Sequence, residues 1–311
     1  YWLADMTREQ KFMAHLIFRN KISESDGSAF EALFTRIMTC ANPSFQQVKP
    51  QGRIGDKKND GFDSLSGTYY QVYAPENLEI KEQNAINKLN EDFNGLYAYW
   101  KSICPIRKFI YVVNDKYKGV FPSLHKELAN IHGDYPEVET RLFLAKDLED
   151  ICFQLSDEDI DSCLGFIPEA YSTNIDYEVL KDVVEHLLSI KVNLSSEFIP
   201  INPDFDKKIA FNGLSDETAC YLKSHRINEH SVNDFFSYNS SYTKEELRNI
   251  FTALYQEALN EIPDVPDKAD RVFMYILQHS YENPNLAVYN AILTLMAYYF
   301  EYCDIFQAPI E

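Results

Sequence analysis

No stretch of the chain approaches the run of about 18 apolar residues that a membrane-spanning helix needs, so a helical membrane protein is not expected. The start, Tyr1 and Trp2 followed by Arg8, Glu9, Gln10 and Lys11, lacks a signal peptide's order of charge, apolar core and small residues, and a cytoplasmic protein is the expectation. Cysteine is sparse and scattered. Cys40, Cys104, Cys152, Cys163, Cys220 and Cys303 include no CxxC pair and no histidine at finger spacing, which excludes the usual signatures of a zinc site or a disulfide framework and leaves reduced, mostly buried thiols. No GxxxxGK[ST] occurs, so any ATP use belongs to a partner. The histidines His15, His125, His132, His186, His225, His230 and His279 have no ligand spacing. Glycine and proline are also few, 10 and 13 among 311 residues with 45% hydrophobic content, which argues against disorder and fibrous forms.

Charge is plentiful but unevenly placed. Residues 1–150 carry 19 Lys and Arg against 21 Asp and Glu, whereas the remainder carries 10 against 27. The second half therefore repels a phosphate backbone, and only the first half is suited to touch nucleic acid.

Periodicity divides the chain at the same place. Helices are predicted at 7–18 and 28–39, the latter from Phe30, Leu33, Phe34 and Ile37 at helical spacing. A meander follows: Phe45 to Val48, a turn region Gly52 to Gly61, a second turn at Ser66 and Gly67, and the β-rich run Thr68 to Tyr73. Then come a helix at 77–100, an apolar run at 108–113, a helix near 123–131, a run at 140–144 and a helix at 146–154. That order predicts an α/β domain, a mixed sheet flanked by helices, over 1–155. Beyond Asp157 there is almost no strand signal. Helical periodicity recurs at 176–191, 215–225, 230–237, 243–260, 266–281 and 284–302, so 156–311 is expected to be mainly α. The last helix, with Leu293, Leu295, Met296, Tyr298, Tyr299, Phe300, Tyr302 and Phe306, has little polar face, which suits burial within its own domain and also, through its tyrosines, an interface.

The stretch Gly52 to Asp63 packs three acids, three bases and three glycines into a bend. It is followed at once by Tyr69, Tyr70, Gln71, Val72 and Tyr73. An acid at a hairpin and a polar residue on the next strand converge on one hard cation such as Mg²⁺, which takes oxygen ligands. Asp60 and the carbonyl oxygen of Gln71 stand in that relation, and a helix packed on the meander can add Glu31, although its neighbours Phe30 and Phe34 form core. The same stretch also has the composition of an ordinary solvated turn.

These residues carry a resemblance. Phe30-Glu31 on an early helix, Gly55-Asp56 through Asn59-Asp60-Gly61, and Gln71-Val72-Tyr73 resemble a restriction-endonuclease-like PD-(D/E)xK domain of the Mrr-like kind, with its acidic helix residue, G-x-D turn and Q-x-K strand. The resemblance covers roughly 20–150 and implies a metal-dependent endodeoxyribonuclease using Mg²⁺ or Mn²⁺. It implies Asp60 as central metal ligand, Gln71 as the ligand where many relatives have Glu, Glu31 as the helix carboxylate and Asp56 as an extra ligand. Tyr73 stands where the family has its water-activating lysine. Lys58, two residues before Asp60, is the candidate replacement, with Lys57 and Lys81 behind it.

The segments Phe205 to Ser215 and Ala287 to Phe306 resemble the C-terminal domain of effector subunits in ABC-three-component defence systems, the group that includes Lamassu-type anti-phage systems. That resemblance covers most of 160–311. It implies an SMC-like (ABC-type) ATPase and a small middle subunit as partners and control by sensed foreign DNA, while the nuclease resemblance implies a DNA substrate and, since nucleases of that class commonly work as pairs, self-association on activation. Two rival readings remain: a scaffold that kept the fold and lost the lysine, and a stand-alone type IV-like restriction enzyme.

Overall fold

The computed structural model of the protein describes residues 5–49, 57–75, 82–171, 175–190, 204–239, 242–282, 284–302 and 305–309. The chain divides into two compact units, Lys21–Cys163 on the one hand and Tyr1–Asn20 with Leu164–Glu311 on the other. The sequence places a single cut at 155/156 and keeps the first helix with the α/β half. The polar contacts of that helix explain the difference: Arg8 pairs with Glu217 at 2.6 Å, Arg19 pairs with Asp267 at 2.8 Å, and Asn20 donates to Gln278 at 3.2 Å.

After the end of α1 (Arg8–Glu24), the first unit runs α2 (Gly27–Ala41), β1 (Phe45–Gln47), β2 (Gly61–Asp63), β3 (Thr68–Tyr73), α3 (Glu82–Trp100), β4 (Lys108–Val113), α4 (Pro122–Asp134), β5 (Glu139–Phe143), α5 (Ala145–Cys152) and α6 (Asp157–Leu164). The five strands form one sheet in chain order. β1, β2 and β3 pair antiparallel, while β3, β4 and β5 pair parallel. The expected mixed sheet with flanking helices is therefore present. α6 was not anticipated, because eight residues with only Ile160, Cys163 and Leu164 buried give too short a period to read.

Alternation along β3 decides which residues meet which helix. Tyr69 joins Phe109, Tyr111 and Val113 of β4 in a core that takes Leu89, Phe93 and Leu96 from α3 and Leu124, Leu128 and Ile131 from α4. Tyr70 points the other way and meets Phe34 of α2, ring centroids 5.7 Å apart. Each such large side chain contributes about 1.5–3 kcal/mol by leaving water. Gly61 is obligatory for packing, since a Cβ there would lie 2.3 Å from the Phe45 ring.

The other unit contains α7 (Tyr177–Ser189), α8 (Phe205–Asn212), α9 (Asp216–Arg226), α10 (Glu229–Tyr238), α11 (Lys244–Glu261), α12 (Lys268–His279) and α13 (Leu286–Glu301). No strand occurs in it among the described residues. Side-chain caps set several starts: Asp204 accepts from the Lys207 N–H, Ser215 from Thr218, Asn285 from Val288, and Thr243 with Glu246 closes a capping box. α13 is buried from Val288 through Glu301 and packs against α7, α9, α10 and α12. A helix apolar all round belongs at the centre of a bundle, and of the two roles open to it the intradomain one is seen. No helix among the described residues is long and apolar enough to cross a membrane.

Candidate active site

Asp60 lies one residue ahead of β2, where the β2–β3 ladder continues beyond its last strand pair. Its N–H donates to Tyr70 O at 3.0 Å, and its Oδ2 accepts from the Val72 N–H at 2.6 Å. Those two bonds flank Gln71 and bring the acid level with it. A carboxylate held by a charge-assisted backbone bond is fixed in direction rather than swinging in solvent. Asp63, three residues on, is different. It accepts from Leu65 N, Ser66 N and the Ser66 hydroxyl and so ties the hairpin. Burial opposes its ionisation, yet the Ser66 hydroxyl, the two backbone N–H groups and Asn42 together hold its pKa below the usual carboxylate range.

Gln71 and Tyr111 are register partners on β3 and β4 and so share a face. Gln71 is buried with its Oε1 lacking a hydrogen-bond partner, and its Nε2 reaches only Val72 O at 3.5 Å. The Tyr111 hydroxyl is likewise buried without a partner. Over this face α3 presents Asp92, which is fully buried. Its Oδ1 pairs with Lys88 at 2.7 Å and Lys58 at 3.0 Å, while its Oδ2 has no partner. Burial, then the charges of Asp92, Tyr73 and Asp60, push the Tyr111 hydroxyl well above the usual tyrosine pKa. Burial and Asp92 do the same to Tyr73, whose ring stacks on Tyr111 at 5.8 Å. Both hydroxyls therefore stay protonated and are available as donors. Next to Asp60, Asn59 is fully buried with neither side-chain atom partnered.

Lys58 reaches this group from the loop before β2. Its Nζ sits 2.7 Å from Glu91 as well as by Asp92, and a Cβ on Gly95 of α3 would lie 3.0 Å from its stem. The hydrogen bond to Glu91, against the opposing effect of burial and with further help from Asp92, raises its pKa above the ordinary lysine range. Lys57 lies over the Tyr99 ring at 5.7 Å. Both lysines have left-handed φ, 59° and 64°. Side chains rarely adopt that conformation, which costs on the order of 1 kcal/mol or more per residue, and such strain collects at functional sites.

The structure thus sets Asp60 level with Gln71, and ties Lys58 to Asp92 of α3. Glu31 is half-buried on α2, whose Phe34 packs on Tyr70, on the face of β3 away from Gln71. Asp56 and Lys81 lie outside the described residues. Sequence reasoning missed Asp92, Lys88 and Tyr111. The signal for Asp92 was present: it sits in the apolar stripe of α3 between Leu89 and Leu96, with Lys88 four residues before it.

Among the described residues no three of His, Cys, Asp and Glu are grouped to hold a metal. The oxygens in this region that could serve a cation are the Asp60 carboxylate, the unpartnered oxygens of Gln71 and Asn59, and the second oxygen of Asp92. An all-oxygen set suits a hard divalent cation such as Mg²⁺ or Mn²⁺ better than zinc or copper, which favour nitrogen and sulfur ligands.

Residues 178–307 match the family model of C-terminal domain 10 of the ABC-three component (ABC-3C) systems. The match begins within α7 and ends past α13, and it supports membership in such a system. No curated protein and no solved structure matches the chain.

Proposed function

We propose that the chain is the DNA-cleaving effector of an ABC-three-component anti-phage system. On this reading the α/β unit is a restriction-endonuclease-like PD-(D/E)xK domain, and the helical unit docks on an SMC-like ATPase and a small middle subunit that hold it inactive until foreign DNA is sensed. The observation that carries it is the group of buried, unpartnered oxygens on Gln71, Asn59, Asp92 and Tyr111 around a carboxylate locked to the Val72 N–H. Burying such groups unpaired costs about 1–3 kcal/mol each, which a protein tolerates where a ligand completes them. Mg²⁺ or Mn²⁺ held by Asp60 and Gln71 would supply Lewis acidity toward the phosphate and an activated water.

The chain's own residues supply the rest. Lys58 stays charged between Glu91 and Asp92, which rules it out as a proton acceptor and suits it to meet the charge growing on the phosphate. Tyr73, in the place of the family lysine, keeps its proton and offers a neutral donor. Asp92 is the positioning group that aims Lys58 from below.

The test is plasmid cleavage with Mg²⁺ or Mn²⁺ by the chain together with its neighbouring gene products. Asp60→Asn keeps an oxygen for the Val72 N–H and should fold normally while losing about 10²–10³-fold or more in rate. Lys58→Ala should lose activity too. A second reading, a scaffold without catalysis, is favoured by Tyr73 alone. Under it Asp60→Asn still protects cells from phage, and no assembly cuts DNA.

A further inference from the structure

A cavity of about 270 Å³ opens at the carboxyl ends of two parallel strands, lined by Tyr73 at the end of β3, Val113 at the end of β4, Pro75, Lys118, Phe121 and Leu124. Open α/β sheets take their ligands at the carboxyl ends of the strands. The volume lies just below the range of about 300–1,000 Å³ that holds drug-sized molecules, so it fits one planar ring system with little more. The walls are apolar and aromatic, and Lys118 is the single charged group among the lining residues.

The rim is built rather than loose. Asp115 is buried, and its carboxylate accepts from Gly119 N at 3.0 Å and Ala145 N at 3.1 Å, while its carbonyl accepts from Lys118 N at 2.8 Å. Lys116 pairs with Asp26 at 2.8 Å. These ties hold the left-handed backbone at Lys116, Tyr117 and Gly119, and a pre-ordered loop loses less entropy when a ligand arrives. Tyr73 belongs to both places: its ring lines the cavity and stacks on Tyr111 beside Asp92 and Asp60.

We propose that this cavity is a nucleobase pocket. An aromatic-lined slot takes the flat face of a base, a cation at its mouth takes the attached phosphate, and the shared Tyr73 sets that phosphate toward Asp60. The occupant is an unstacked base of the strand being cut. That source rests on the nuclease reading, whereas affinity for the base does not.

The experiment measures binding without cleavage, using the full-length chain. A single-stranded oligonucleotide containing 2-aminopurine is followed by fluorescence, and deoxynucleoside 5′-monophosphates by calorimetry. Phe121 is 39% exposed, so Phe121→Ala should fold normally, which its melting curve verifies. It should weaken binding about tenfold, as loss of one stacking ring does. Binding of the strand places a substrate base in the pocket; binding of monophosphates alone keeps the nucleobase pocket and makes a free nucleotide its occupant. Absence of binding for both ligands, or equal binding by Phe121→Ala, overturns the proposal. Intact binding in a protein that never cuts DNA would instead overturn the nuclease reading and leave the pocket standing.

Discussion

The two units bury polar groups in opposite ways. In the helical unit Lys208, Asp270 and His225 are buried polar side chains with partners. Lys208 donates to Phe300 O and, at 2.8 Å, to Ile305 O, and its ammonium lies 4.4 Å from the Phe300 ring centre. Asp270 accepts from the Ser215 N–H and hydroxyl, and His225 lies between Tyr221 O and Asn290. In the α/β unit the buried oxygens of Gln71, Asn59, Asp92 and Tyr111 are left unanswered around Asp60. A satisfied network fixes a core, whereas an unsatisfied one calls for a ligand. The helical unit therefore reads as a body shaped for packing, and the α/β unit as one that gives up stability at its site.

The largest expected effect tests the first half of that contrast. Leu293 of α13 is fully buried, and Leu293→Ala should cost about 2–5 kcal/mol. A melting curve showing no loss would mean that the bundle core is not where α13 places it. Next comes a matched pair of methionine substitutions. Lys208→Met deprives two buried carbonyls of their donor and should cost about 1–3 kcal/mol. Gln71→Met replaces an amide with an unpartnered oxygen by an apolar group of similar shape, so the melting temperature should hold or rise while DNA cleavage is lost. Equal destabilisation by the two would abolish the contrast.

The legible and illegible parts of the molecule divide along the same line. The meander, β3 as Thr68–Tyr73 and the bundle were readable because alternation and helical spacing are local patterns. α8 was overlooked as an element although its caps, Asp204 before it and left-handed Gly213 after it, are written in the sequence. Asp60, Lys58 and Gln71 stood out because turn residues abut a β-rich run. Asp92 and Tyr111 did not, since what distinguishes them is burial opposite one another through the packing of α3 on β4, a tertiary fact. The first helix was grouped with the wrong neighbours for the same reason: its ion pairs with Asp267 and Glu217 join residues more than 200 positions apart.

The smallest effect concerns a buried group that is answered yet not at rest. His225 is fully buried, with its Nδ1 2.8 Å from Tyr221 O and its Nε2 3.2 Å from Asn290 Oδ1. Burial lowers its pKa, outweighing the two acceptors, which favour the charged ring. In the unfolded chain a histidine titrates near about 6.5. Below that pH the unfolded state takes up a proton that the folded state refuses, so stability falls as the pH drops through about 6.5 and into the more acidic range. Asp270, whose pKa burial raises, works in the opposite sense as its carboxylate becomes protonated, so only a difference isolates the histidine. Melting temperatures at pH 7.5 and 5.5 should draw apart more in the parent chain than in His225→Gln. Identical spacing in the two would show that the ring gains its proton without cost inside the bundle, and would count against the view that this unit's buried polar groups serve packing alone.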